Sequence, residues 1–157
     1  MNLPNPDSDP MPKLGVSNDD IWNHGTHVAG ILAAVTNNNV GIASTMFNGA
    51  IMCVKSSNDG DSSDDLLIHN GYEGIIYAAK AGFYAEKHTI INNSWGSGSD
   101  SGGLIDDVFK SGQAIINIAF DTYGAIIVAA AGNGKDTNGD GKEDEKEYAR
   151  HFPASFD

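Results

Sequence analysis

The sequence is poor in cysteine, in basic residues and in long apolar runs, and each shortage excludes something. A single cysteine, Cys53, rules out an internal disulfide and a multi-cysteine zinc site, and leaves the redox compartment open. No apolar run reaches the length of about 18 residues that a membrane span requires. Nine Lys and Arg stand against 21 Asp and Glu, a net charge of −12. The basic residues form no cluster, which argues against nucleic acid or an anionic membrane as partner. The N-terminus, Met1-Asn2-Leu3-Pro4-Asn5-Pro6, lacks a basic stretch followed by an apolar one, so it does not read as a signal peptide. A mature start, a truncated start and a cytoplasmic protein all stay open.

What is present fits a folded domain. A chain of 157 residues with 40% hydrophobic side chains is long enough for a core of its own. The acids are 16 Asp and 5 Glu, and Gly reaches 19. Asp and Gly favour turns, caps and cation-binding loops, so the acidity belongs in loops. Residues 1–22 read as an irregular leader rich in Pro, Asp and Asn, and residues 134–148 as an acidic insertion loop. Between them apolar segments alternate in type. Thr26 to Thr36 reads as a short buried helix ended by Asn37-Asn38-Asn39, and Ala50–Val54 as a strand. A helix is expected from Ser63 to Glu86, with Leu67, Ile68, Tyr72, Ile75, Ile76, Ala79 and Phe83 near helical spacing. Thr89–Asn92 and Ala125–Ala131 read as buried strands. Between them a helix over Gly112–Tyr123 would turn Ile115, Ile116, Ala119 and Phe120 inward. Uninterrupted apolar strands alternating with helices predict an α/β fold with a mainly parallel sheet covered on both faces. No internal repeat or interdomain linker is visible.

In such sheets ligands sit beyond the carboxyl ends of the strands. Ser94-Trp95-Gly96 follows one strand and Gly132-Asn133-Gly134 another, so function is sought there. A third segment, Asn23-His24-Gly25-Thr26-His27-Val28-Ala29-Gly30, places a histidine at the opening of a helix of small residues. There its ring can stay exposed for acid–base work. Each segment alone also fits a structural role: a histidine capping a helix beside a buried one, a strand end, a loop asparagine tolerating positive φ. The histidines are three apart, without the i,i+4 spacing and intervening Glu of a helical zinc pair.

Taken together, the segments resemble the subtilisin-like serine proteases, the subtilases. HGTHVAG (His24–Gly30) resembles their active-site histidine motif. INNSWGSGS (Ile91–Ser99) is similar to the strand and turn lining the substrate cleft. IIVAAAGN (Ile126–Asn133) is similar to the strand leading to the oxyanion asparagine, and HFPAS (His151–Ser155) to a proline-containing stretch that follows. The resemblance implies a three-layer, mainly parallel, subtilisin-like sheet, of which this chain supplies a partial catalytic domain incomplete at both ends. It implies His24 as general base, His27 as structural, and Asn133 as donor to the oxyanion. Ser94, Trp95 and Gly96 become the segment whose backbone pairs with an extended polypeptide substrate. It also implies an extracellular location.

The family pattern needs an Asp in a D-[ST]-G turn after an apolar strand, and a Ser in a G-T-S-[MA]-A type motif. Asp7-Ser8-Asp9 lacks the Gly and the strand, Asp19 and Asp20 sit too near His24, and no serine here has the nucleophile's context. The chain by itself is therefore expected to be inactive, with unpaired sheet edges prone to self-association. The competing reading is a non-catalytic, degenerate subtilase acting as a peptide- or calcium-binding module. A nucleotide-binding domain is a third: the Gly-rich loop Gly96–Gly103 sits after a strand, but not in G-x-G-x-x-G spacing.

One pattern is independent of the family. Asp136 to Glu147 fits D-x-[DN]-x-[DN]-G-x5-E, a Ca²⁺-binding loop. Asp136, Asn138, Asp140 and Glu147 would be side-chain ligands, Lys142 would give its carbonyl, and Asp144 would act through water. Glu143 stands where an apolar residue is usual and no helix pair flanks the loop, so it reads as an isolated insertion; a solvated acidic loop is the alternative. Cys53 reads as a core residue. Asn92-Asn93-Ser94 matches a glycosylation sequon whose place at a buried strand end argues against its use.

Overall fold

The structure, a computed structural model, describes residues 23–57, 68, 70–98, 105–132 and 151–156. The chain divides into two compact units, residues 1–71 and 72–157.

In the first unit, helix α1 covers His24–Ala33. It begins two residues before the expected Thr26, and it ends at Ala33, where Ala34 turns extended (φ −56°, ψ 146°). The β-branched Val35 and Thr36 follow, then the Asn triplet. Asn37 and Asn39 both adopt left-handed φ of 58°, which Asn tolerates best among residues with a side chain. The Val40 N–H donates to Asn38 Oδ1 at 3.0 Å, closing the turn. The chain then doubles back and satisfies the carbonyls that a helix end leaves open: Thr45 N–H donates to Ile31 O at 3.0 Å and Met46 N–H to Leu32 O at 2.9 Å. The expectation of a buried helix is corrected, since no residue of α1 is buried. The returning segment covers one flank, and Ile31 remains 45% exposed.

The strand expected over Ala50–Val54 does not form. Strand propensity is realised only where a partner lies alongside, and the described pairing in this unit is the isolated antiparallel bridge Ser57–Ile68. Ile51 and Met52 are exposed, and Cys53 is exposed rather than in a core. Ile68 takes part in that bridge and the next helix starts at Gly71, while residues 63–67 of the helix expected from Ser63 lie outside the described residues.

The second unit is organised by that helix, α2 (Gly71–Tyr84). Ile75, Ala78 and Ala79 lie three and four apart on its inner face and are all buried. Its end is a Schellman motif: Glu86 N–H donates to Phe83 O at 3.1 Å and Lys87 N–H to Gly82 O at 2.9 Å. Glu86 occupies the left-handed position, φ 55°, that glycine usually fills. Strand β1 (Ile90–Asn93) follows, shifted by one residue from expectation. A two-residue strand, β2 (Ser97–Gly98), comes next, then α3 (Ile105–Asn117) running into a π-helical turn over Ile118–Thr122. Gly124, at φ 66°, ends it with its N–H on Phe120 O at 2.9 Å, a conformation a side chain would oppose. Because a π-turn alters the helical phase, Ala119 points inward, fully buried, while Phe120, expected to face in, is 59% exposed.

Strand β3 (Ile126–Ala129) then pairs parallel with β1, Ile90 opposite Ile126 through Asn93 opposite Ala129. The β1–α3–β3 connection is the crossover a parallel pair requires, so the chain is α/β. Ile91 and Asn93 face the buried side of this pair. The other side is uncovered among the described residues: Ile90 is 68%, Ile126 53% and Val128 48% exposed. Finally β4 (His151–Phe152) pairs antiparallel with β2, Phe152 opposite Ser97. A cis bond joins Phe152 to Pro153, and both residues are buried.

Candidate active site

His24 is the first residue of α1 and is exposed, as are Gly25, Thr26 and His27. Asn23, at the N-cap, makes no side-chain capping bond. Its carbonyl accepts the His27 N–H at 3.0 Å. Neither histidine is buried, so the picture of one capping ring and one buried ring does not apply. The small residues that follow let the backbone start a helix directly beneath His24 while its imidazole stays accessible for proton transfer.

In the second unit, the parallel register sets the carboxyl ends of β1 and β3 side by side. The ladder ends where Ala130 N–H donates to Asn93 O at 3.0 Å. Ser94-Trp95-Gly96 leaves from β1 at this edge, and Ala130-Ala131-Gly132 leaves from β3, with Gly132 at φ 106°. Asn133, the candidate oxyanion donor, is the next residue in sequence and lies outside the described residues.

Asn93 locks this edge. It is 3% exposed, and its Nδ2 donates to Val128 O at 3.4 Å, so a polar side chain is buried with its donor engaged. The INNS run by itself gives no sign of which asparagine points inward, so the sequence does not single out Asn93. Asn92, the sequon residue placed at a buried strand end, is exposed, and its Nδ2 donates to Ser94 Oγ at 2.8 Å. Ser94 and Trp95 are half-buried and Gly96 exposed. These three residues lie between two ladders and belong to neither, the parallel one ending at Asn93 and the antiparallel one starting at Ser97. That is the condition for a segment to offer its backbone to an added strand.

Beside it, the Trp95 ring meets Tyr72 of α2 edge-on, centroids 5.8 Å apart at 82°. Partial burial raises the Tyr72 hydroxyl above its usual pKa of 10.0 by disfavouring the phenolate. The calcium ligands expected at Asp136, Asn138, Asp140, Lys142, Asp144 and Glu147 lie outside the described residues. Among the described residues, no group of three or more His, Cys, Asp or Glu gathers to hold a metal, and no helix is long and apolar enough to cross a membrane.

Comparison with known proteins gives a consistent result. The subtilase family profile matches residues 5–157. Thermitase of Thermoactinomyces vulgaris is 38% identical over 114 residues, which cover 73% of this chain and 35% of thermitase. A thermophilic serine proteinase of Bacillus sp. (strain AK1) is 38% identical over 127 residues, 81% of this chain and 25% of that protein. An extracellular protease of Xanthomonas campestris pv. campestris is 33% identical over 115 residues, 70% of this chain and 18% of the relative. The chain thus spans about a third or less of the length of these relatives. No solved structure matches it significantly.

Proposed function

The chain belongs to the subtilase family, whose members are serine endopeptidases, and on that premise we propose that it supplies three parts of a peptide-bond-hydrolysing site. His24 is the general base, Asn133 the oxyanion donor, and Ser94–Gly96 the partner of the substrate backbone. The observation that carries the reading is the pairing of β1 with β3, which opens Ser94–Gly96 and the run toward Asn133 at one edge of a parallel sheet. A polypeptide lies along Ser94–Gly96 as an added strand, its scissile carbonyl turned toward the Asn133 amide. A serine hydroxyl, from a segment this sequence's motifs do not contain, gives its proton to His24 as its oxygen bonds to the carbonyl carbon. The negative oxygen of the tetrahedral adduct is met by the Asn133 side chain. His24 then hands the proton to the leaving amine, and the acyl-enzyme is hydrolysed by water with the same proton relay.

The three-layer subtilisin-like sheet belongs to this reading, as does an extracellular site of action. The name of the Xanthomonas relative, an extracellular protease, supports the latter. The decisive experiment uses the complete gene product. A fluorophosphonate probe should label one serine stoichiometrically, and His24→Ala should suppress both labelling and casein hydrolysis. An unlabelled complete protein, or a His24→Ala variant that hydrolyses normally, overturns the reading. The 157-residue chain alone is expected to label at no serine.

Calcium enters through the Asp136–Glu147 loop, supported by its residue pattern. Carboxylate, amide and carbonyl oxygens at those positions suit a hard cation, and bound Ca²⁺ would neutralise part of a run holding six of the chain's 21 acids. Calorimetric titration should register one Ca²⁺ per chain, and Asp136→Asn or Glu147→Gln should weaken it by about tenfold or more. An unchanged isotherm in both variants removes the loop from the account.

A further inference from the structure

We propose that Tyr72 and Phe156 are positioning residues for the substrate segment, holding Trp95 and through it the Ser94–Gly96 backbone in the shape that accepts an extended peptide. The inference rests on the reading of Ser94–Gly96 as the substrate's backbone partner. That segment lies outside both ladders, so main-chain pairing does not fix its course, and the half-buried Trp95 ring is where the rest of the unit grips it.

The grip is a closed chain of contacts. Trp95 meets Tyr72 edge-to-face at 5.8 Å, and Tyr72 meets Phe156 at 6.1 Å and 57°. Phe156 meets Phe152 at 5.0 Å and 41°. Phe152 pairs through its backbone with Ser97, two residues beyond Trp95. The stretch from Trp95 to Ser97 is therefore held at one end by a ring and at the other by a ladder, and both holds meet in the Phe152–Phe156 turn. Both anchors are built into the fold. Tyr72 stands on α2 one turn before Ile75, which is 1% exposed, so its position follows from that of the core. Phe156 seats against α3 at the buried Gly112, where any Cβ would overlap the Phe156 ring. The Trp95–Tyr72 pair has the edge-on geometry that aromatic rings prefer, so Tyr72 sets the orientation of the Trp95 ring, while the tilted Phe156 and Phe152 rings back Tyr72 by contact.

The test measures peptide binding by the 157-residue chain, using a capped, fluorescein-labelled Ala-Ala-Phe-Ala-Ala peptide followed by anisotropy. Tyr72→Ala, and Tyr72→Leu as a bulk-retaining counterpart should Tyr72→Ala not fold, should weaken binding about tenfold, while Tyr72→Phe restores it. Ile75→Val trims the core on the same helix and keeps the Tyr72 ring, and should lower the unfolding midpoint yet leave binding within about twofold. In a Trp22→Phe background, the near-ultraviolet circular dichroism of Trp95 should collapse in Tyr72→Leu and persist in Tyr72→Phe. Parent-like binding in the Tyr72→Leu chain overturns the inference and leaves the proposed function standing. Equal losses in Tyr72→Leu and Ile75→Val, tracking stability, also overturn it, because Tyr72 would then be only a structural residue. A parent chain that does not bind the peptide overturns the reading of Ser94–Gly96, and this inference with it.

Discussion

At Tyr72 a titratable hydroxyl is carried partly into the interior by a ring that packs on Trp95 and Phe156, and burial raises its pKa above 10.0. The folded chain therefore still holds this proton at a pH where the unfolded chain has released it. The native state then binds more protons, so stability falls as pH rises past the unfolded value of about 10. Urea unfolding of the parent and of Tyr72→Phe should give parallel midpoints below about pH 9 and diverge above it, with the parent losing more. Curves that stay parallel through the alkaline range would remove burial as the cause. Asn133 is tested by a different quantity. If Asn133 is the oxyanion donor of the proposed function, Asn133→Ala in the full-length protein should lower kcat about 10²–10³-fold with a smaller change in KM, because such a donor meets charge that exists only in the transition state. A loss confined to KM would assign Asn133 to substrate binding instead.

Among the elements, the end of α2 carries a correctable strain. Glu86 holds φ 55° in the left-handed site of a Schellman motif, and its carboxylate sits at the negative end of the helix dipole. Glu86→Gly relieves both and should stabilise the chain by about 1 kcal/mol, raising Tm by a few degrees in thermal unfolding. A drop in Tm would mean that the side chain makes a compensating contact. The elements also divide by how visible they were in sequence. β1 and β3 lie within about two residues of expectation at each end, because each apolar run has the other as its parallel partner, although β3 is not the buried strand expected and none of its residues is buried. Ala50–Val54 is just as apolar and forms no strand, since a strand depends on a distant partner that composition does not report. Phe120 faces outward against expectation because nothing in the INIAF run announces the α-to-π change of phase. Of the candidate site, the segments holding His24 and Ser94-Trp95-Gly96 stand out in the sequence as motifs in order along the chain, and their roles belong to the proposed function. Asn93, Tyr72 and Phe156 do not stand out: their roles come from contacts across 35, 23 and 84 residues of separation, to Val128, Trp95 and Tyr72.

For the whole molecule, two properties oppose each other. The described part of the β1–β3 pair shows one apolar face, with Ile90, Ile126 and Val128 each about half exposed or more, and among the described residues each strand has one partner, so its other edge can pair with another chain. Against this, a net charge of −12 on 157 residues makes identical chains repel. Salt distinguishes the two. Screening weakens repulsion between exposed charges beyond a Debye length of roughly 8 Å at physiological ionic strength, whereas burial of apolar surface is not screened. The 157-residue chain should therefore associate in sedimentation velocity runs, and more so as NaCl is added. Ile126→Lys combined with Val128→Lys should shift it toward monomer at every salt concentration, with far-ultraviolet circular dichroism retained, because both substitutions fall on the exposed face and leave Ile91 and Asn93 in place. Association that weakens with salt would point to charge pairing between chains instead. A parent chain that stays monomeric at high salt would mean that the Ile90–Val128 face is covered from within the molecule.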